Sequence, residues 1–416
     1  MCAALAVPAG AQNDAPRPFP FGYTLKRPKA AAPARAPAKP KPDDGEDSEE
    51  EVIRVDTSLV LLDVLVADAG GTRPVEGLRR EDFSVVEDGR PQEVSFFALG
   101  DDAERLPRSI VLILDRSQSQ LAYLEASVEA AKKLVGQLAP ADEMAIATDD
   151  VHLVTGFTKD KKRLRQTLDL LKKWTLEGYH TRSMQFSTLL ATVRELTAGK
   201  RRAVVILQTD GDEVGRLSKW PPVAGEQVTS YDYDMDDVYA EVERSRVKVY
   251  VVVPNERLLG LPPSEAEARA LATLEKQRAA RLKTRDMWYG LKRLPPEPSK
   301  TTPKGTTPAA LVVPEGVMKE FEEKMRRRAV ETLVQGQAAA DRVAEVSGGW
   351  TSFLERPEQA GEIYARILAD INRRYVVGYY PTNKAADGTL RKVKVEVRGH
   401  PEYFVQGRRS YYAAPR

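Results

Sequence analysis

The sequence predicts an α/β fold with a doubly wound, mostly parallel sheet, accompanied by a small antiparallel β-sandwich formed by strands from both ends of the chain. Apolar runs at Ile110–Leu114, Val204–Leu207 and Val249–Val253 are typical of strands buried on both faces. Segments with helical spacing lie between these runs, and strands that alternate with helices form parallel sheets. Short β-rich segments separated by turn signals such as Glu87-Asp88-Gly89 predict the sandwich.

Composition limits the classes of function. A chain of 416 residues with 42% hydrophobic side chains is long enough to bury the cores of two folded units. Lys and Arg number 63 against 61 Asp and Glu, so the net charge of +2 gives no indication of a nucleic acid or an anionic membrane as partner. The single cysteine, Cys2, excludes an intramolecular disulfide framework and a cysteine-based zinc site.

The first 51 residues predict export followed by a spacer. Residues 1–12 resemble the end of a signal peptide with a small-residue cleavage site at Ala9-Gly10-Ala11, although no basic region precedes them, which suggests that the start codon is assigned too far downstream. We therefore expect an extracytoplasmic protein, secreted or periplasmic. Residues 13–51 are rich in Pro, Ala and then acidic residues, which predicts a disordered linker. No later apolar run has the length of a transmembrane segment.

The remaining chain divides into three predicted regions. Residues 52–104 form the N-terminal part of an Ig-like β module, and residues 381–416 supply the C-terminal strands that complete it. Residues 105–380 form the α/β domain, with a helical insertion at 254–340. The alternating charges of the insertion favour a solvated helix face, and a partner-binding role is an open alternative.

Oxygen-bearing side chains follow two of the predicted buried strands. Asp115, Ser117 and Ser119 come directly after the first strand, and Asp210 follows the second. Because ligands bind at the carboxyl ends of the strands in such sheets, these side chains can point at a common position. Carboxylate and hydroxyl oxygens suit a hard divalent cation such as Mg²⁺, and two neutral hydroxyls leave the cation able to take an anionic ligand from outside.

The Asp-x-Ser-x-Ser pattern at Asp115, Ser117 and Ser119 resembles the metal-ion-dependent adhesion site (MIDAS) of von Willebrand factor type A domains, which have a Rossmann-like fold. The segments 78–92 and 375–381 resemble a family of VWFA-related domain proteins found largely in Acidobacteria, which places a small β module just before the type A domain. The resemblance implies direct coordination of Mg²⁺ or Mn²⁺ by Ser117, Ser119 and Thr181, with Asp115 and Asp210 acting largely through water. Ser183 is the alternative to Thr181.

Several positions keep other interpretations open. Gln118 stands where the family usually has Gly, which favours an altered or degenerate metal loop. Gln118, His180 and Asp212 lie beside the predicted metal ligands and are candidates for contact with a partner, although a lone loop histidine is more often ordinary surface. Strand-end turns and helix capping also explain aspartates and serines at such places without a metal.

Two further acidic groups have local structural explanations. The run Asp232–Asp237 contains four aspartates that suit Ca²⁺, but we expect them to lie at the positive N-terminus of the following helix. Asp149 and Asp150 lie between two short strands and predict a hairpin turn.

The motifs favour a binding module over an enzyme. The sequence has no Gly-x-Ser-x-Gly elbow, no His-Glu-x-x-His and no phosphate-binding loop with Lys-Ser/Thr. We therefore expect a non-enzymatic adhesion-type module whose metal binds an exposed Asp or Glu of a protein or peptide partner. The alternatives are a structural scaffold with a degenerate metal site and a metal-dependent hydrolase that uses Asp210 or Asp212 as the base.

Overall fold

The computed structural model describes residues 20–26, 59–70, 73–99, 107–177, 183–200, 202–213, 233–291 and 315–413. The predicted signal-peptide remnant at 1–12, most of the predicted linker at 13–51 and the first residues of the predicted β module lie outside these ranges. Among the described helices, none is long and apolar enough to cross a membrane.

The strands and helices alternate in the middle of the chain, and strands predominate at its two ends. The strands are β1 Val60–Ala67, β2 Phe83–Glu87, β3 Arg90–Gln92, β4 Val94–Leu99, β5 Ser109–Leu114, β6 Glu143–Thr148, β7 His152–Thr158, β8 Ala203–Gln208, β9 Lys248–Val253, β10 Thr351–Phe353, β11 Tyr375–Tyr379, β12 Leu390–Val397, β13 Phe404–Gln406 and β14 Ser410–Tyr412. The helices are α1 Leu121–Gln137, α2 Lys161–Glu177, α3 Gln185–Ala191, α4 Met235–Ser245, α5 Pro263–Leu291, α6 Glu315–Ser347 and α7 Ala360–Arg373.

The central sheet has six strands in the order β10-β9-β8-β5-β6-β7. All neighbouring pairs are parallel except β6 and β7, which are antiparallel. Alternate residues of β5 face two different cores: Val111 and Ile113 pack with α3, α4 and α6, whereas Ile110, Leu112 and Leu114 pack with α1, α2 and α7. Helices therefore cover both faces of the sheet, which confirms the predicted α/β class and explains the uninterrupted apolar runs.

The predicted antiparallel strands form two four-stranded sheets, with the orders β13-β1-β11-β4 and β14-β12-β2-β3. Their inward side chains share one core, to which alternate residues of β1, the first residue of β2 and the first residue of β11 contribute: Val60, Leu62, Val64, Phe83 and Tyr375. The sandwich is therefore formed by strands from both ends of the chain, as predicted. β11 lies inside the range 105–380 predicted for the α/β domain, but it pairs with β1 and β4 of the sandwich.

The sandwich contacts the amino ends of the central strands through a cluster of charged groups. Asp63 of β1 accepts a hydrogen bond from Arg202 at 3.2 Å, and its backbone carbonyl accepts one from Lys248 at 3.3 Å. Arg374 forms an ion pair with Asp370 at 2.8 Å and is almost fully buried. Because Arg202 and Lys248 lie where β8 and β9 begin, the sandwich occupies one end of the sheet and leaves the carboxyl ends to the candidate site.

A short N-terminal segment packs on the α/β domain, so the prediction of a disordered linker is wrong for residues 20–26. Phe21 and Leu25 join the core beside α3, and Leu25 is buried. The carboxylate of Glu195 accepts hydrogen bonds from the backbone of Gly22 at 2.9 Å and from the hydroxyl of Thr24 at 2.6 Å. Packing of two apolar side chains and pairing of these polar groups hold the segment in place.

The predicted insertion contains two long helices, and one of them belongs to the core. α5 and α6 pack on each other through a small apolar cluster that includes Leu258, Ala270 and Leu333. The C-terminal part of α6 covers β9 with Ala340, Val343 and other residues, so the helix has a buried face in addition to the predicted solvated one. Small alanines pack closely on a sheet, and they produce a weak amphipathic pattern in a helix rich in charges.

The expected capping role of the acidic run is confirmed for two of its members. The Asp234 carboxylate accepts a hydrogen bond from the backbone N–H of Asp237, and the Asp237 carboxylate accepts one from the backbone N–H of Asp234, both at 3.1 Å. This reciprocal pair forms a capping box at the N-terminus of α4. Asp232 lies outside the described residues.

Candidate functional site

The register of three neighbouring strands brings their carboxyl ends to one level. Leu114 of β5 lies opposite Thr148 of β6 and Gln208 of β8. The residues that follow these strands therefore emerge together at one edge of the sheet, and they include Asp115, Asp149 and Asp210. Asp115 and Asp149 are fully buried, and Asp210 is nearly so. Because the three strands end at the same level, residues that are far apart in the chain lie close together at this edge, where ligands bind in such sheets.

The two serines of the Asp-x-Ser-x-Ser pattern connect two strand ends. The hydroxyls of Ser117 and Ser119 are 2.9 Å apart, and Ser119 donates a hydrogen bond to Asp210 Oδ2 at 2.5 Å. Asp115 Oδ1 accepts a hydrogen bond from the backbone N–H of Ser117 at 2.8 Å, which fixes the turn between them. Ser117 is buried and Ser119 is half-buried, so the cluster reaches the surface at Ser119.

Asp115 lies in an environment that disfavours its ionised form. Burial raises the pKa of the Asp115 carboxyl well above its ordinary value of 3.8, and the neighbouring carboxylates of Asp149, Asp210 and Asp212 raise this pKa further. Burial also raises the pKa of Asp149, while hydrogen bonds from the backbone N–H of Arg116 and the hydroxyl of Ser183 act in the opposite direction. The site thus places several carboxylates close together in a buried setting.

The loop after β8 is held against α6 by a close backbone contact. Gly211 has φ of 76°, a left-handed conformation that favours glycine. A Cβ atom at Gly211 would lie 2.4 Å from the backbone oxygen of Gly336 in α6, and one at Gly336 would lie 2.8 Å from the backbone oxygen of Asp210. Both glycines are therefore needed for α6 to pack on the loop that carries Asp210 and Asp212.

The N-terminus of α3 brings Gln185 into the group of carboxylates. Its amide nitrogen lies 2.8 Å from Asp115 Oδ2, 2.8 Å from Asp212 Oδ1 and 3.4 Å from Asp210 Oδ1. Glu213 accepts hydrogen bonds from the first backbone N–H groups of α3, including that of Phe186 at 2.6 Å. This carboxylate caps the helix and fixes the position of Gln185.

The structure brings together five residues of the predicted site: Asp115, Ser117, Ser119, Asp210 and Asp212. Thr181 and His180 lie outside the described residues, and Gln118 is described only by its backbone, which is part of the turn Gln118–Gln120. Ser183, the alternative to Thr181, is buried, and its hydroxyl acts to lower the pKa of the Asp149 carboxyl. The roles of all these residues as metal ligands or partner contacts stay predictions.

Two members of the cluster, Asp149 and Gln185, were not predicted from the sequence. Asp149 does lie in the predicted hairpin turn between β6 and β7, but its carboxylate also points to the site and accepts a hydrogen bond from the backbone N–H of Arg116 at 2.9 Å. The strand-end rule that selected Asp115 and Asp210 would also have selected Asp149, because it directly follows β6. Gln185 has no such signal, since its position depends on how α3 is oriented.

The donor set fits a hard divalent cation. Ligand distances of 2.0–2.1 Å in an octahedron place neighbouring oxygens about 2.9 Å apart, and the two serine hydroxyls have this separation. Among the described residues, no group of three or more His, Cys, Asp or Glu side chains is arranged to hold a metal ion. A cation at this site would therefore depend on Ser117 and Ser119, with carboxylate from Asp115 and Asp210.

Searches of protein-family models and of curated proteins found no match. Similar solved structures include the conserved hypothetical protein BatB from Bacteroides thetaiotaomicron, at 12% identity and a TM-score of 0.35, which covers 64% of this chain and 98% of that chain. The vWF domain of the type V pili tip protein Mfa5 from Porphyromonas gingivalis has 15% identity and a TM-score of 0.30, and the match covers 64% of this chain and 95% of that chain.

A third similar structure is proximal thread matrix protein 1 from the mussel byssus with a zinc occupied MIDAS motif, at 9% identity and a TM-score of 0.32, which covers 64% of this chain. This chain spans 48% of the mussel protein's length. At TM-scores this low, the three likenesses carry no argument about function, and the fold rests on the strands and helices described above.

Proposed function

We propose that this protein is a non-enzymatic binding module that holds a divalent cation, Mg²⁺ or Mn²⁺, and presents it to an acidic residue of a protein or peptide partner. The observation that supports it most directly is the contact of Ser119 with both Ser117 and Asp210 at the carboxyl edge of the sheet. Ser117, Ser119, Asp115 and Asp210 would hold the cation, and we retain Thr181 as a proposed fifth ligand.

The chemistry of this donor set favours an external carboxylate. Hydroxyl ligands carry no charge, so a cation held mainly by Ser117 and Ser119 keeps affinity for an anion. Ser119 and Asp212 are only half-buried, so a partner can reach the site from solvent. We propose that Gln118, His180 and Asp212 contact the partner around the cation. An extracytoplasmic location stays a prediction from residues 1–12.

Calorimetric titration of the full chain with Mn²⁺ and Mg²⁺ tests the cation site. We expect saturable binding in the wild type and at least about tenfold weaker binding in Ser117→Ala and Asp115→Ala, because each removes an oxygen that holds or orients the ion. Ser127→Ala is the matched control, since Ser127 is a buried serine in α1 and should leave metal affinity unchanged. Absence of saturable binding in the wild type would overturn the proposal.

The partner class is tested separately on peptide arrays. Peptides with one central Asp are compared with matched peptides that carry Asn at the same position, with Mn²⁺ present and after chelation. We expect capture by Asp peptides only in the presence of Mn²⁺, because the single neutral amide oxygen of Asn binds the cation much more weakly than a charged carboxylate does. Equal capture by both arrays would contradict recognition through an acidic residue.

A metal-free scaffold is the second candidate. The hydrogen bonds from Gln185 to Asp115 and Asp212 favour it, because they show that a neutral amide can hold the acidic loops together. In this case α3 would link the loops that carry Asp115 and Asp212. The calorimetric titration separates the two functions.

A further inference from the structure

Gln185 has its amide nitrogen between acidic side chains and its amide oxygen buried. The nitrogen carries two hydrogens, and its two shortest contacts, to Asp115 and Asp212, are both 2.8 Å. The side chain is fully buried, and its oxygen Oε1 has no hydrogen-bond partner among the described residues. This arrangement satisfies only one end of the amide, and a buried carbonyl without a partner destabilises the folded state.

The orientation of the amide depends on the charge that it faces. Three carboxylates attract N–H groups, which explains why the nitrogen points toward Asp115, Asp210 and Asp212. A divalent cation among these carboxylates would repel the N–H groups and attract the carbonyl oxygen. A half turn of the terminal amide exchanges the two atoms with little change in shape.

The backbone of Gln185 is held firmly, so the amide can turn without displacement of the helix. Glu213 caps α3, and the backbone N–H of Met184 donates a hydrogen bond to the carbonyl of Asp149 at 2.8 Å. The side chain therefore stays within reach of the acidic group in both orientations.

We propose that Gln185 is a ligand of the cation: its carboxamide oxygen coordinates the metal, and its nitrogen links the carboxylates when no metal is bound. This inference rests on the proposed function. Carboxamide oxygens are ordinary ligands of hard divalent cations. Gln185 thereby adds a neutral ligand, and its buried oxygen gains a partner when the metal binds while its nitrogen leaves the carboxylates.

The test compares Gln185→Met with the wild type in Mn²⁺ titration calorimetry. Methionine has a similar length but no amide, so we expect at least about tenfold weaker Mn²⁺ binding. Gln208→Met is the matched control, because Gln208 is also fully buried at this edge of the sheet but bonds to Tyr364 instead of the carboxylates. We expect Gln208→Met to retain wild-type affinity.

A second measurement separates a ligand from a structural residue. Relaxation of water protons by bound Mn²⁺ counts the coordinated waters, and we expect one additional water in Gln185→Met. Equal affinity and equal water count in Gln185→Met and wild type would overturn the role of Gln185 while the proposed function stands. Tighter binding in Gln185→Met would also overturn it, since the amide would then only compete with the cation. Absence of Mn²⁺ binding in the wild type would overturn both proposals.

Discussion

Lys248 is the surplus cation in the buried contact between the sandwich and the central sheet. The carboxylates of Asp63 and Asp370 balance the charges of Arg202 and Arg374, which leaves Lys248 without a carboxylate of its own among the described residues of this contact. Burial lowers the pKa of Lys248 from 10.5 to about 7, and repulsion by Arg374 and Arg202 adds to this effect, while Asp63 and Asp370 oppose it. We predict that Lys248→Met stabilises the protein near neutral pH.

The sign of the pH dependence follows from proton binding. Between about pH 7 and 10.5 the unfolded chain holds a proton on Lys248 that the folded protein does not, so stability rises with pH in this window. The fall of the Lys248 pKa from 10.5 to about 7 corresponds to roughly 5 kcal/mol of lost stability when Lys248 is charged in both states, at about 1.36 kcal/mol per pKa unit. Between about pH 6 and about pH 9 the gain is about 2–3 kcal/mol. Lys248→Met removes both the cost of burying the Lys248 charge and the pH dependence of that cost.

The assay is urea denaturation of wild type, Lys248→Met and the control Lys392→Met at about pH 6 and about pH 9. Lys392 is exposed, so its variant should keep the wild-type pH dependence. At about pH 6 we expect Lys248→Met to exceed the wild type by about 3–4 kcal/mol, after a loss of about 1 kcal/mol for the hydrogen bond to the Asp63 carbonyl. The same pH dependence in Lys248→Met and in the wild type would refute the lowered pKa of Lys248 in the folded protein.

Two further predictions concern the helices and turns around the sheet. Glu213→Ala removes the cap of α3 and should lower the free energy of unfolding, measured by urea denaturation, by about 1–2 kcal/mol. The same variant should weaken Mn²⁺ binding, because it displaces Gln185. Unchanged stability would contradict the capping role. Gly349→Ala places a Cβ 1.9 Å from the backbone oxygen of Val249 and should cost more than about 3 kcal/mol, whereas Gly361→Ala in α7 has open space and should be neutral or stabilising by up to about 1 kcal/mol. Similar melting temperatures for the two glycine variants would contradict the close contact of Gly349 with the backbone of Val249.

The sequence was sufficient to predict the sheet and the strand ends. The apolar run Ile110–Leu114 identified a strand buried on both faces, and a parallel sheet brings the carboxyl ends of its strands to one edge. Asp115 and Asp210 could therefore be predicted to lie together, although they are 95 residues apart in the sequence. Local pattern and a topological rule were enough for this part.

Other features depend on contacts that no local pattern encodes. Gln185 reaches the acidic group because α3 is oriented by Glu213 and Met184, and these contacts follow from the folding of the whole domain. Residues 13–51 as a whole have the composition of a linker, yet within them Leu25 packs in the core and Glu195 accepts hydrogen bonds from Gly22 and Thr24. Burial of a few side chains outweighed the average composition.

The two ends of the central sheet are held by different kinds of contact. At the amino ends, charged groups such as Arg202 and Arg374 are buried between the sandwich and the sheet. At the carboxyl ends, the loop with Asp210 is backed by α6 through the contact of Gly211 with Gly336. Since the backbones already touch and interiors are close-packed, a shift of this loop toward α6 must displace the helix as well. A change at the candidate site that moves the loop in this direction is therefore expected to move α6 with it.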